Sequence, residues 1–120
     1  MGSRTGVGRV MRRGEVRWYT FKAPDKRRPV LILTRDSAIP YLGALTVAPI
    51  TTTVRDIPSE VFLTPEDGLV TNCAANMDNI QTVPKHKLGP LITYLSPERM
   101  AEVNRAVAFA LGLDAPTFWS

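Results

Sequence analysis

Cysteine and histidine occur once each in the 120 residues, as Cys73 and His86. A single thiol excludes an internal disulfide and suits a reducing compartment. A lone histidine excludes a two-histidine acid–base pair, and one Cys with one His cannot build a zinc site. His86 lies between Lys85 and Lys87, which suits a solvated loop, and Cys73 reads as a small buried residue. No apolar run approaches the ~20 residues that span a bilayer, so no membrane association is expected. The N-terminus lacks the apolar stretch of an export signal, and the cytoplasm is the expected location. A Walker loop, a dinucleotide fingerprint and a Gly-x-Ser-x-Gly elbow are all missing, which removes the nucleotide and hydrolase folds that depend on them. There is no internal repeat, no low-complexity tract and no second domain.

The chain does hold an ordinary globular mixture, 44% hydrophobic and 22% charged, in a length typical of one domain. So small a core makes an oligomer attractive as extra burial. Its net charge of +4 hides an asymmetry. Residues 1–35 carry ten basic side chains against Glu15 and Asp25, a net +8, while the remainder carries five basic and nine acidic, a net −4. A split of this kind favours an anionic partner for the N-terminal half, and a solvated basic face is the alternative.

Residues 1–11 are Gly-rich, basic and without period, and are expected to be a flexible leader to a single domain over 12–120. Glu15–Phe21 alternates as a half-buried strand does, with Val16, Trp18 and Thr20 on one side and Glu15, Arg17 and Tyr19 on the other. Residues 22–28 form a basic loop with turn chemistry at Pro24-Asp25. Residues 29–34 and 44–51 are strands, the first apolar enough to be buried on both faces, and Arg35–Gly43 is a surface connection. Shorter strands are expected at Glu60–Thr64, with Val61 and Leu63 on one face, at Asn76–Val83 and at Leu91–Leu95, with a turn at Pro65–Gly68. One helix is expected: Ser96 caps it, Pro97 opens it and Glu98 complements its dipole. Met100, Val103, Val107, Ala110 and Leu111 carry its apolar stripe and Gly112 ends it. The sum is a mostly β (α+β) domain of five or more short antiparallel strands curled into a small barrel and closed by one amphipathic helix.

The strand pair from Arg28 to Thr51 is the most strongly patterned part of the chain. It sets an arginine at one end and the threonines Thr51-Thr52-Thr53 at the other, a rigid frame for polar groups if the two ends converge. Trp18, Tyr19 and Phe21 lie among basic residues and are of a type that stacks on bases, with Trp18 expected in the core and Tyr19 the better stacking candidate.

Several of these segments, in this order and spacing, together resemble the MazF/PemK family of toxin–antitoxin ribonucleases over most of residues 12–112. Arg13-Gly14-Glu15-Val16 is similar to the family's Arg-Gly-acidic-apolar opening strand, and Arg28-Pro29-Val30-Leu31-Ile32-Leu33-Thr34 to its Arg-Pro-aliphatic strand. Val47-Ala48-Pro49-Ile50-Thr51 resembles the strand ending in its functional threonine, and Asp78-Asn79-Ile80-Gln81-Thr82-Val83 the strand beside its site. Ser96-Pro97 and the helix to Leu113 match its C-terminal end. The resemblance implies an SH3-like barrel that forms a homodimer and cleaves single-stranded RNA at short sequences without metal or other cofactor. It also implies a cognate antitoxin whose acidic, apolar tail lies along the RNA groove. Carried over residue by residue, Arg28 and Thr51 become the catalytic pair. The loop before Arg28 departs from the family pattern, being compact and basic with Asp25 as its only acid, so sequence preference does not carry over.

RNA breaks itself when its 2′-OH is deprotonated, the phosphorane's charge is held and the leaving 5′-oxygen is protonated. A protein assists by aiming positive charge and hydrogen-bond donors where charge develops. Arg28 offers a planar fork for phosphate oxygens, and with a pKa above ~12 it serves as stabiliser or proton donor rather than base. Thr51 can donate to or accept from the phosphate. Asp78 can orient Arg28, read a base edge or serve a turn. Thr34, Gln81, Lys26, Arg27 and Tyr19 complete the expected substrate-binding set. Two other readings stand behind this one. One is a gyrase-inhibiting toxin on the same fold, loosely echoed by Phe118-Trp119; the other is a non-catalytic nucleic-acid-binding module.

Overall fold

The computed structural model describes residues 10–22 and 26–114. Residues 1–9 of the leader expected over 1–11, the Pro24-Asp25 turn and Phe118-Trp119 lie outside the described residues. Among the described residues there are seven strands and one α-helix: β1 (Glu15–Thr20), β2 (Arg27–Ile32), β3 (Ala44–Thr51), β4 (Glu60–Leu63), β5 (Cys73–Asn76), β6 (Gln81–Pro84), β7 (Leu91–Tyr94) and α1 (Pro97–Ala110). All pairings are antiparallel and make one curled sheet in the order β4-β5-β3-β2-β1-β7, with β6 also on β3.

β3 is the hub. Val47, Ala48 and Pro49 pair with β2 on one edge, while on the other edge Ala44–Val47 pair with β6 and Ile50 and Thr51 pair with β5. Alternation along β2 and β3 feeds two cores. Leu31, Ala48 and Ile50 face a cluster with Val16, Val61, Leu63, Met77, Val103 and Ala106, which α1 covers. Val30, Ile32, Leu45 and Val47 face a second cluster with Ile39, Val83 and Leu88. Burial of both faces is what an unbroken apolar run in β2 requires.

β1 departs from the expected half-buried pattern because both of its faces are covered. Glu15 is 2% exposed, and it survives burial by accepting from Arg17 Nε at 2.7 Å, while Arg17 Nη1 donates to the Gly89 carbonyl at 2.9 Å. A charge buried this deeply is tolerated only when paired in this way. β2 begins at Arg27 rather than Pro29, so Arg27 and Arg28 belong to the strand and not to the loop. The expected single strand over 76–83 is broken. β5 ends at Asn76, a 3-10 turn occupies Met77–Asn79, and β6 resumes at Gln81. The break has a local cause: Asn76 Oδ1 accepts from the Asp78 N–H at 2.9 Å, which caps a turn in place of a ladder bond.

The helix starts as its sequence dictates, with Ser96 Oγ accepting from Arg99 N at 3.1 Å. It stops at Ala110, with Gly112 at φ 75°. Val103 and Ala106 are its buried residues, and Leu111 stands beyond its end at 54% exposure rather than in the apolar stripe. No helix among the described residues is long and apolar enough to cross a membrane.

Candidate active site

The β2–β3 register places Val30 opposite Pro49. Arg28 lies two residues before Val30 and Thr51 two after Pro49, past the last paired residues, and alternation puts both on one face. The two do meet: Arg28 and Thr51 line one hollow of about 280 Å³ with Pro49, Thr53, Arg55, Asn76 and Asn79. Arg28 also lines an adjoining hollow of about 480 Å³, with Phe21, Pro49, Asp78, Asn79, Ile80 and Gln81. Arg28, Pro49 and Asn79 belong to both, so the hollows form one polar groove with Arg28 at its middle.

Arg28 is half-buried, and among the described residues no carboxylate pairs with it. Thr51 Oγ1 accepts from the Thr53 N–H at 3.1 Å, which leaves the hydroxyl proton available for donation. Arg55 is held differently. Its Nε and its backbone N–H both donate to the Glu60 carboxylate, each at 2.9 Å, and the Glu60 side chain is 2% exposed. The outer guanidinium nitrogens of Arg55 remain for the groove.

The other expected site residues divide. Asp78 and Gln81 do line the groove. The Asp78 carboxylate accepts from the hydroxyl of buried Ser59 and makes no ion pair with Arg28, so it serves the turn rather than orienting the arginine. Thr34 lines neither hollow; its Oγ1 accepts from Thr46 N at 2.8 Å and continues the β2–β3 ladder past the end of β2. Arg27 faces away from Arg28, as alternation along a strand demands, and its guanidinium lies 4.2 Å from the Trp18 ring centroid. Lys26 stands near Arg28: desolvation first, and then the Arg28 charge, hold its ammonium below the ordinary lysine value. Tyr19 packs edge-on to Phe21, with ring centroids 4.8 Å apart, and leans on the second core. Phe21, not Tyr19, presents an aromatic surface to the groove.

Arg55, Asn76 and Asn79 were not expected at the site from the sequence, and Thr53 was noted only within the threonine run. No reading of the sequence pointed to Arg55, whose bonds to Glu60 emerge only in the fold, and Asn76 was hidden inside an expected strand.

Across the sheet from the groove, Trp18, Pro29, Ile50, Leu69 and Ile92 line an apolar cavity of about 180 Å³. Thr51 borders this cavity as well as the groove, and Arg27 stands over the Trp18 ring. Cys73 also lines it, its thiol pushed above the ordinary value by burial and then by the Asp67 charge.

An unpaired guanidinium facing a hydroxyl donor is an anion site, and a phosphate matches both the fork and the donor. Fold and site together define a small curled β-sheet protein with a polar groove where Arg28 and Thr51 meet. The model of the PemK-like, MazF-like toxins of type II toxin–antitoxin systems matches residues 12–111, and the chain belongs to that family. It is 44% identical over 90 residues to endoribonuclease MazF3 of Mycobacterium tuberculosis, which covers 75% of this chain and 87% of that protein. The structure of the M. tuberculosis toxin MazF-mt6 superposes with a TM-score of 0.77 at 39% identity, covering 83% of this chain and 98% of that one. A mycobacterial endoribonuclease solved in complex with its cognate antitoxin gives 0.75 at 33% identity, covering 88% and 99%.

Proposed function

We propose that this chain is the toxin of a type II toxin–antitoxin pair, an endoribonuclease that cuts single-stranded RNA at short sequences and so arrests translation and growth. The observation that carries this reading is the convergence of Arg28 and Thr51 on one hollow at the end of the β2–β3 pair. Family membership and the endoribonuclease relatives support it. In the reaction the 2′-oxygen bonds to phosphorus as the bond from phosphorus to the 5′-oxygen breaks, leaving a cyclic phosphate and a 5′-hydroxyl. The 2′-hydroxyl gives up its proton and the 5′-oxygen gains one. Arg28 holds the non-bridging oxygens as negative charge gathers on them, and the Thr51 hydroxyl donates to the same phosphate. Arg55 supplies charge for the neighbouring phosphate, and Phe21, Asp78 and Gln81 face the bases. No step draws on a metal.

The active unit is a homodimer of the domain over residues 12–120, working in the cytoplasm. Its antitoxin brings an apolar side chain to the Trp18 cavity and acidic groups to Arg27, Arg28 and Arg55. Incubating the pure protein with RNA in excess chelator and mapping the new 5′ ends tests this reading. Cleavage at one short sequence is expected, lost in Arg28→Ala and Thr51→Ala. Intact RNA with wild-type protein would overturn it.

A further inference from the structure

Asn76 is the one buried asparagine among the described residues, 6% exposed, and it lines the hollow that Arg28 and Thr51 share. Its carboxamide cannot turn freely. The Asp78 backbone N–H can only donate, and it donates to Oδ1 at 2.9 Å, so Oδ1 must face the turn and Nδ2 must face the other way. Nδ2 therefore carries two N–H donors, and among the described residues no acceptor meets either of them. Buried donors are nearly always satisfied, and one left over is costly to keep. A donor kept at that cost beside an unpaired guanidinium and a free hydroxyl proton has a ready explanation: its acceptor arrives with the substrate.

We infer that Asn76 is a third catalytic residue, donating from Nδ2 to a non-bridging oxygen of the phosphate held by Arg28 and Thr51. The inference rests on the ribonuclease reading above and adds a residue to the same site. The backbone supports the role. Asn76 ends β5 just beyond the two residues that pair β5 with β3, Ala74 opposite Thr51 and Ala75 opposite Ile50. The turn it caps fixes the amide plane, so the donor is preorganised and needs no movement when charge develops. Such a donor acts on kcat more than on binding, and removal of a comparable one slows an enzyme about 10²–10³-fold.

The test uses the full chain and an RNA oligonucleotide carrying the site that wild type cuts. Asn76→Ala removes donor and cap together, whereas Asn76→Asp keeps an oxygen for the Asp78 N–H, loses the donor and adds a negative charge to the hollow. Both are expected to lose about 10²-fold in kcat. Phosphorothioate versions of the oligonucleotide, each with one non-bridging oxygen replaced by sulfur, supply a readout that a structural role would not move. Wild type should discriminate between the two diastereomers, and the folded variants should lose that preference. A third measurement needs no variant: the Asn76 side-chain amide resonance of wild type should shift when an uncleavable 2′-deoxy analogue binds. Variants within about threefold of wild type, an unchanged diastereomer ratio, or a silent amide resonance would each overturn the assignment. Failure of wild type to cut any RNA would instead remove the ribonuclease reading beneath it.

Discussion

Arg28 and Arg55 share a hollow yet are held in opposite ways, and the difference predicts different losses. Arg28 has no carboxylate partner among the described residues, so its full charge is available to an anion, and its planar fork is what a lysine cannot reproduce. Arg28→Lys is expected to lower kcat at least about 10²-fold with little change in melting temperature, as single-turnover cleavage and a thermal melt would show. Arg55 is fastened to Glu60 through two bonds and stands 50% exposed. Arg55→Ala should weaken RNA binding by a similar factor on every sequence and reduce the salt slope of log Kd by about one, measured with an uncleavable RNA at several ionic strengths. The sequence marked Arg28 and Thr51 as the ends of an apolar strand pair, and the family resemblance made them the catalytic pair. It misplaced Thr34, whose hydroxyl has the same chemistry as that of Thr51 but lies outside both hollows. It missed Asn76, whose role depends on a turn that no periodicity reveals.

Helix α1 is anchored to the turn that joins β4 to β5 by one ion pair. Arg99 Nε and Nη2 donate to the two oxygens of Asp67 at 3.0 and 3.1 Å, and Arg99 Nη1 reaches Glu102. Burial pushes the Asp67 carboxyl up, but the Arg99 bonds and the Thr64 N–H outweigh it and hold the group below the ordinary aspartate range. A depressed carboxylate stabilises the fold fully above its unfolded value of about 3.9 and loses that contribution as pH falls through its folded value. Asp67→Asn should therefore cost about 1–2 kcal/mol at neutral pH and should flatten the loss of melting temperature below about pH 4. The next residue is constrained by geometry instead. Gly68 sits at φ 99°, and a Cβ there would lie 2.3 Å from Thr93 Oγ1, the hydroxyl that donates to the Asp67 carbonyl. Gly68→Ala should lower stability by about 1–3 kcal/mol in a denaturant melt and leave the groove chemistry intact. At this scale the sequence read well where signals are local. β3 and the helix start fall where their residues place them, because alternation and capping involve near neighbours. The break at Met77–Asn79 was not read, since a side-chain cap there competes with a ladder whose partners are distant in sequence.

Over the whole molecule the basic N-terminal half supplies Arg28 and the later half supplies Arg55, so the groove gathers positive charge from both. RNA affinity should fall steeply with salt, and the slope reports how many phosphates are engaged. Dimerisation predicts a sedimentation mass twice the 13.3 kDa of one chain. It also predicts a melting temperature that rises with protein concentration.

One pairing sets the order in which this protein becomes dangerous to its host. β1 has β7 as its outer neighbour, with Glu15 opposite Tyr94. The proposed site draws on Arg28, Thr51 and the turn after Asn76, while the sheet edge that steadies β1 is supplied last among the strands. At about 5–20 residues per second, on the order of ten seconds separate the synthesis of the two paired strands. Through that interval the nascent chain carries the parts of a ribonuclease without a completed sheet. A chain halted before Leu91 should be inert towards RNA and sensitive to protease, and one released after α1 should be neither. Harm then begins with release from the ribosome, and an antitoxin already present meets the toxin at that moment.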